Sequence, residues 1–66
     1  MNEFILGCKD RSITIRYIIF DRIAHLYYDD YTFIYTKEEL NRIITELVKE
    51  SDNLTVEELF DYLKLK

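Results

Sequence analysis

Proline is absent from this 66-residue chain, and glycine, alanine and cysteine occur once each. The single thiol, Cys8, forms no internal disulfide. With His25, the one histidine, it falls short of the four ligands of a structural zinc site, so no metal or cofactor is expected. No stretch comes near the ~20 consecutive apolar residues of a membrane-spanning helix. Met1-Asn2-Glu3 is not a basic leader, and the apolar run Phe4 to Cys8 is too short for a secretory signal. A cytoplasmic location is the expectation, and the lone thiol agrees with it. A Gly-rich phosphate loop, a G-x-S-x-G elbow and a Ser–His–Asp set are all missing, which argues against an enzyme. Few Pro, Gly and Ala beside many Ile, Tyr, Asp, Glu and Lys is the composition of translation from an AT-rich genome. It points to a low-GC bacterium or to its phages and plasmids.

Positive charge is also in short supply. The net charge is −4, with four bases against five acids in residues 1–36 and five against eight in residues 37–66. Neither half carries the basic stripe that phosphate binding requires, so nucleic acid is disfavoured as a partner. The excess acid forms a solvated surface. On a sharper reading it is a face that docks on a basic host protein or imitates DNA.

What the chain has is bulk. Nine Ile, eight Leu, two Val, four Phe and six Tyr make 29 large apolar residues. The length corresponds to one domain, near the lower limit for a self-supporting core. A monomer of this size has difficulty burying all ten aromatic rings, and the surplus is a first sign of an interface.

Two helix starts are written with the same signature, Tyr35-Thr36-Lys37-Glu38-Glu39-Leu40 and Leu54-Thr55-Val56-Glu57-Glu58-Leu59. In each, the Thr hydroxyl can accept from the backbone N–H three residues on, while the Glu there reaches back to the Thr N–H. The apolar residue before the Thr can clasp the Leu five positions later. Helices are therefore expected over residues 37–50 and 56–64. The first carries Leu40, Ile43, Ile44, Leu47 and Val48 as one stripe and a Glu38–Arg42 pair on its outer side. Ser51-Asp52-Asn53 ends it, with Asn53 expected in a left-handed conformation, and Lys64 and Lys66 suit the C-terminal dipole of the second.

The N-terminal half alternates apolar and polar residues. Strands are expected over residues 3–8, 13–19, 23–28 and 32–35, linked by polar turns at residues 9–12, at Asp21-Arg22 and at Asp29-Asp30-Tyr31. Residues 17–28 also fit a helix, with Tyr17, Phe20, Ile23, Ala24 and Tyr27 on one side. The whole reads as an α+β domain, a small antiparallel sheet of about four strands with two helices on one face. Its expected core is Leu40, Ile44, Leu47, Leu59, Phe60 and Leu63 against Phe4, Leu6, Ile15 and Phe33.

Weighed for chemistry, most polar residues reduce to structural roles. His25 would align with Asp21 and Asp29 on one ridge, as metal ligands or an oriented imidazole, only if residues 17–28 were helical. Cys8, on the apolar side of the first strand with Phe4 and Leu6, reads as a small buried hydrophobe. Asp29 and Asp30 read as turn residues rather than an acid–base pair, since 66 residues leave little chain to build a cleft. The segment Tyr27, Tyr28, Asp29, Asp30, Tyr31 stands apart as a partner-binding patch. Tyrosine offers rigid contact area with a polar tip, and the acids can meet Arg or Lys on a partner. A sheet covered on one face must also leave open a surface carrying some of Tyr17, Tyr27, Tyr28 and Tyr31. The functional expectation is a small protein-interaction module. In its narrower form it is a phage or mobile-element protein that binds and inhibits a host protein such as a nuclease or a transcription factor, and a second copy of the chain is the other partner expected. The alternative is a nucleic-acid-binding regulator using the helix pair. Against it, the second helix opens with Glu57 and Glu58, the wrong sign for phosphates.

Overall fold

The computed structural model describes residues 1–65 as a four-stranded antiparallel meander followed by two helices, an α+β fold. The strands are β1 (Asn2–Gly7), β2 (Ser12–Phe20), β3 (Ile23–Tyr28) and β4 (Tyr31–Thr36), in spatial order β1-β2-β3-β4. Helix α1 (Lys37–Glu50) runs through a single 3-10 turn (Ser51–Asn53) to helix α2 (Val56–Leu65). Lys66, expected to suit the dipole of the last helix, lies outside the described residues. Among the described residues, no helix is long and apolar enough to cross a membrane.

The helical alternative for residues 17–28 is overturned, because the chain reverses tightly in the middle of that segment. Phe20 pairs with Ile23 and Tyr28 with Tyr31, so β2–β3 and β3–β4 are joined by two-residue turns at Asp21-Arg22 and Asp29-Asp30. Tyr31 thus belongs to β4 rather than to the turn. Two-residue hairpin turns that follow the sheet twist need positive φ at their first central residue, usually from Gly or Asn. Here Asp21 (φ 57°) and Asp29 (φ 56°) supply it. Aspartate tolerates this region better than most residues because its short side chain bonds locally to the backbone.

Register assigns the two faces of the sheet. Phe4 opposes Ile15, Leu6 opposes Ile13, Tyr17 opposes Leu26, and Leu26 opposes Phe33, so these side chains share the face that the helices cover. The core is Leu6, Ile13, Ile15, Ala24 and Leu26 from the strands, Tyr35 from β4, Leu40, Ile43 and Leu47 from α1, and Val56, Leu59 and Leu63 from α2. Fully burying one such Leu or Ile contributes about 1.5–3 kcal/mol. Several side chains expected in the core are only half-buried, namely Phe4, Phe33, Ile44 and Phe60. Phe4 and Phe33 sit on the edge strands, which bury Leu6 and Tyr35 instead, while Ile13, Ile15, Ala24 and Leu26 hold the buried places on the central strands.

Ile44 is displaced by the angle at which α1 lies. On a 100° wheel Ile43 shares a flank with Glu39 and Glu46, while Ile44 and Val48 share the other. Tyr62 of α2 lines one recess with Glu39, Ile43 and Glu46, so α2 lies along the first flank. Ile43 is wedged between sheet and α2 at 1% exposure, whereas Val48, with no neighbouring helix on its flank, is 60% exposed.

Both capping threonines act as expected. The N–H of Glu39 donates to Thr36 Oγ1 and that of Glu58 to Thr55 Oγ1, each at 3.1 Å. The reach-back bond exists only at α2, where the Thr55 N–H donates to Glu58 Oε1 at 2.9 Å. The α1 box stays half-made because Thr36 is still the last residue of β4. A further cap comes from far away in sequence: Asp10 Oδ1, in the β1–β2 turn, accepts from the Val56 N–H at 3.0 Å, and the Lys9 N–H donates to the Leu54 carbonyl at 2.7 Å. The first hairpin is thereby tied to the start of α2. Asn53 is not left-handed. The chain instead tightens into the 3-10 turn, with the Leu54 N–H donating to the Ser51 carbonyl and Asn53 Nδ2 to Glu50 Oε2, which satisfies the helix end without positive φ. The expected Glu38–Arg42 pair does not form among the described residues. The ion pairs present are Arg16–Glu3 across β1–β2 and Lys64–Asp61 in α2. Solvated side chains on an exposed helix face gain little by closing such a pair.

Candidate protein-interaction site

The five residues singled out at Tyr27–Tyr31 do not form one patch. Successive side chains of a strand point to opposite faces, so Tyr27 projects from the uncovered face and Tyr28 toward the helices. Across the two-residue turn Tyr31 pairs with Tyr28 and joins it on the helix side. There the two rings meet Phe60 of α2 edge-on, with centroids 6.4 Å and 4.5 Å away, and Phe33 packs 5.7 Å from the same ring. Arg11 donates to the Tyr28 hydroxyl at 3.2 Å, and Lys64 Nζ lies 4.9 Å over the Phe60 ring. Tyr28 therefore packs against the core beneath α2, while Tyr31 leans on the Phe60 ring and stays 52% exposed. Asp29 borders the shallow recess beside them and also the surface on the other side of the sheet, and Asp30 is exposed in the turn.

Of the tyrosines expected to share an uncovered surface, Tyr27 does so. Tyr17 packs against Phe4 on the covered side, its ring centroid 6.0 Å away. Sequence reasoning passed over what surrounds Tyr27. The register places three adjacent rows on the open face: Glu3–Arg16–Tyr27–Thr32, then Ile18–His25–Ile34, then Phe20–Ile23–Thr36. Four large apolar side chains stand out from this face, Ile5 (72% exposed), Ile34 (64%), Phe20 (55%) and Ile23 (45%). The signal was present in the alternation, since Ile18, Phe20, Ile23 and Ile34 occupy the positions at which a half-solvated strand usually carries polar residues.

His25 sits at the centre of this surface. Its ring is edge-on to Phe20 and Tyr27 at 5.7 Å and 6.1 Å, and its Nδ1 is 3.2 Å from the Tyr27 hydroxyl. The ridge of Asp21, His25 and Asp29 dissolves in the strand, because the two acids lie in the turns at opposite ends of β3. No group of three or more His, Cys, Asp or Glu side chains is placed to hold a metal among the described residues.

Cys8, one residue beyond β1, packs against the core and its N–H donates to the Arg11 carbonyl. Burial first, and Asp10 second, push its thiol pKa up, away from a reactive thiolate. Tyr35 is the most strongly perturbed group. Its buried hydroxyl donates to the Leu63 carbonyl at 2.9 Å, and burial, with the nearby Glu39 adding to it, pushes its pKa up to about 12. That bond joins β4 to the last turn of α2 and is structural.

No protein-family model, no curated protein and no solved structure matches the chain.

Proposed function

We propose that this chain is a small protein-interaction module without catalysis, and that the open face of its sheet is the docking surface. The observation that carries the reading is the set Ile5, Phe20, Ile23 and Ile34, all exposed on one face of one sheet. Such a surface holds ordered apolar groups against water, and its coverage by another protein releases that water. Tyr27 and Arg16 lie beside it and supply the residue types that dominate interface energetics. The patch centred on Tyr27–Tyr31 contributes Tyr27 and the Asp29 rim to this surface, while Tyr28 and Tyr31 brace the turn from behind. The narrower expectation of a phage or mobile-element inhibitor of a host protein rests on composition and charge. The regulator reading gains nothing at α2, whose start is surrounded by Asp10, Glu57 and Glu58.

The test is paired affinity capture with the natural chain and with Ile34→Lys. Ile34 points to solvent, so the substitution leaves the fold intact, which the circular dichroism spectrum checks. Specific binding partners, a second copy included, should be lost from the variant. Equal retention by both proteins would remove the open face as the docking surface.

A further inference from the structure

Resting on the open-face reading, we propose that the occupant of this face is a second copy of the chain, packed sheet to sheet about a two-fold axis that runs parallel to the strands between β2 and β3. Three observations point there, beginning with charge. A net charge of −4 opposes self-association only where carboxylates meet, and the charge excess lies in residues 37–66, which form the helices on the far side of the sheet. On the strands of the open face the carboxylate is Glu3, paired with Arg16 at 3.9 Å, and Asp29 stands at the rim beside Arg16 and Tyr27. A basic partner would find no unpaired acid in the middle of this surface, whereas a neutral apolar one meets no obstacle.

The second observation is self-complementarity. An axis along the strands between β2 and β3 lays each row on its own copy in reverse order. Phe20 then lies over Ile23 of the other molecule, Ile18 over His25, and Arg16 over the ring of Tyr27, each contact occurring twice as an isologous interface requires. Arg16 over Tyr27 is a cation–π arrangement. An axis across the strands at the level of Tyr17 instead sets Arg16 on Ile18 and Phe20 on Thr14, which buries a guanidinium against an aliphatic chain. The axis along the strands avoids that mismatch.

The third is area. Strands about 4.8 Å apart, with a rise of about 3.3 Å per residue, give a four-stranded face of this size about 450 Å² before side-chain relief. Two copies meeting over it remove about 1,000 Å² from water, the lower limit for a specific interface. An interface at that limit belongs to the weak, transient class, so reversible association with a dissociation constant of micromolar order or above is expected.

Sedimentation equilibrium from about 10 µM to about 500 µM tests this with three proteins. The natural chain should move from monomer to dimer. Ile34→Lys should stay monomeric across the range, and Arg16→Glu, which leaves the apolar rows in place, should weaken the dimer about tenfold or more by setting a carboxylate over Tyr27. A natural chain that is monomeric throughout overturns the second copy as occupant. In that case, partners captured by the natural chain and lost by Ile34→Lys would keep the face as a docking site for another protein. A dimer that survives Ile34→Lys overturns both readings and moves the contact to a sheet edge or to Val48.

Discussion

Thr36 and Thr55 do the same job with different support. Replacing either with Ala should destabilise the domain by about 1 kcal/mol, read from urea midpoints. Because the reach-back bond is made only at α2, Glu58→Ala should be felt and Glu39→Ala should not. The Thr55 N–H, and after it the Thr55 side chain, hold the Glu58 carboxyl below its ordinary range. A depressed carboxylate stabilises the fold above its unfolded pKa, and that contribution is lost as the pH falls through the folded value. Tyr35 has the opposite sign. With its folded pKa raised from 10 to about 12, the neutral hydroxyl contributes fully below pH 10 and is lost as the pH rises through about 12. The buried phenol is worth about 2–3 kcal/mol over that window. Alkaline titration at the tyrosinate band should show Tyr35 ionising together with unfolding. Tyr35→Phe should be less stable at neutral pH, from the orphaned Leu63 carbonyl, but should lose the steep decline above pH 10. Six tyrosines titrating alike would contradict the buried hydrogen bond.

At the level of elements, α1 offers a direct comparison of neighbours. Ile43→Ala should cost about 2–5 kcal/mol, enough to unfold a domain of this size, and Ile44→Ala distinctly less. Thermal melts of the two variants measure it, and equal losses would mean that α2 does not lie along the Ile43 flank. The stripe Leu40–Val48 was readable in the sequence because helical periodicity is local. Which edge of the stripe is buried was not, because it depends on where α2 lands. The same division runs through the chain. Capping boxes, alternation in β1, β2 and β4, and the Asp-Asp turn are short-range signals and were legible. The Asp10 cap on α2, 46 residues away, is a tertiary contact with no local signature. Residues 17–28 were ambiguous because Tyr17, Phe20, Ile23, Ala24 and Tyr27 satisfy a helical period as well as an alternating one. Asp21 in positive φ decides the matter in favour of the expected turn at Asp21-Arg22, which carries no glycine to mark it.

For the molecule as a whole, the candidate site was half legible. Clustered tyrosines and acids drew attention to Tyr27–Tyr31, but the alternation of a strand sends Tyr27 and Tyr28 to opposite faces, and the turn returns Tyr31 to the side of Tyr28. The aliphatic residues around Tyr27 come from β2, β3 and β4, and only register brings them together. Helices on one side hold the acidic excess, and the other side carries the exposed apolar set with the Glu3–Arg16 pair and Asp29 towards one end. That division is the reason to read the sheet face as the working surface. Its most direct test is the amide NMR spectrum of the natural chain recorded from about 10 µM to about 500 µM. Resonances of Ile18, Ile23, His25 and Ile34 should move with concentration while those of Glu38, Glu46 and Glu57 stay fixed. Shifts confined to the helices would contradict a docking surface on the open sheet.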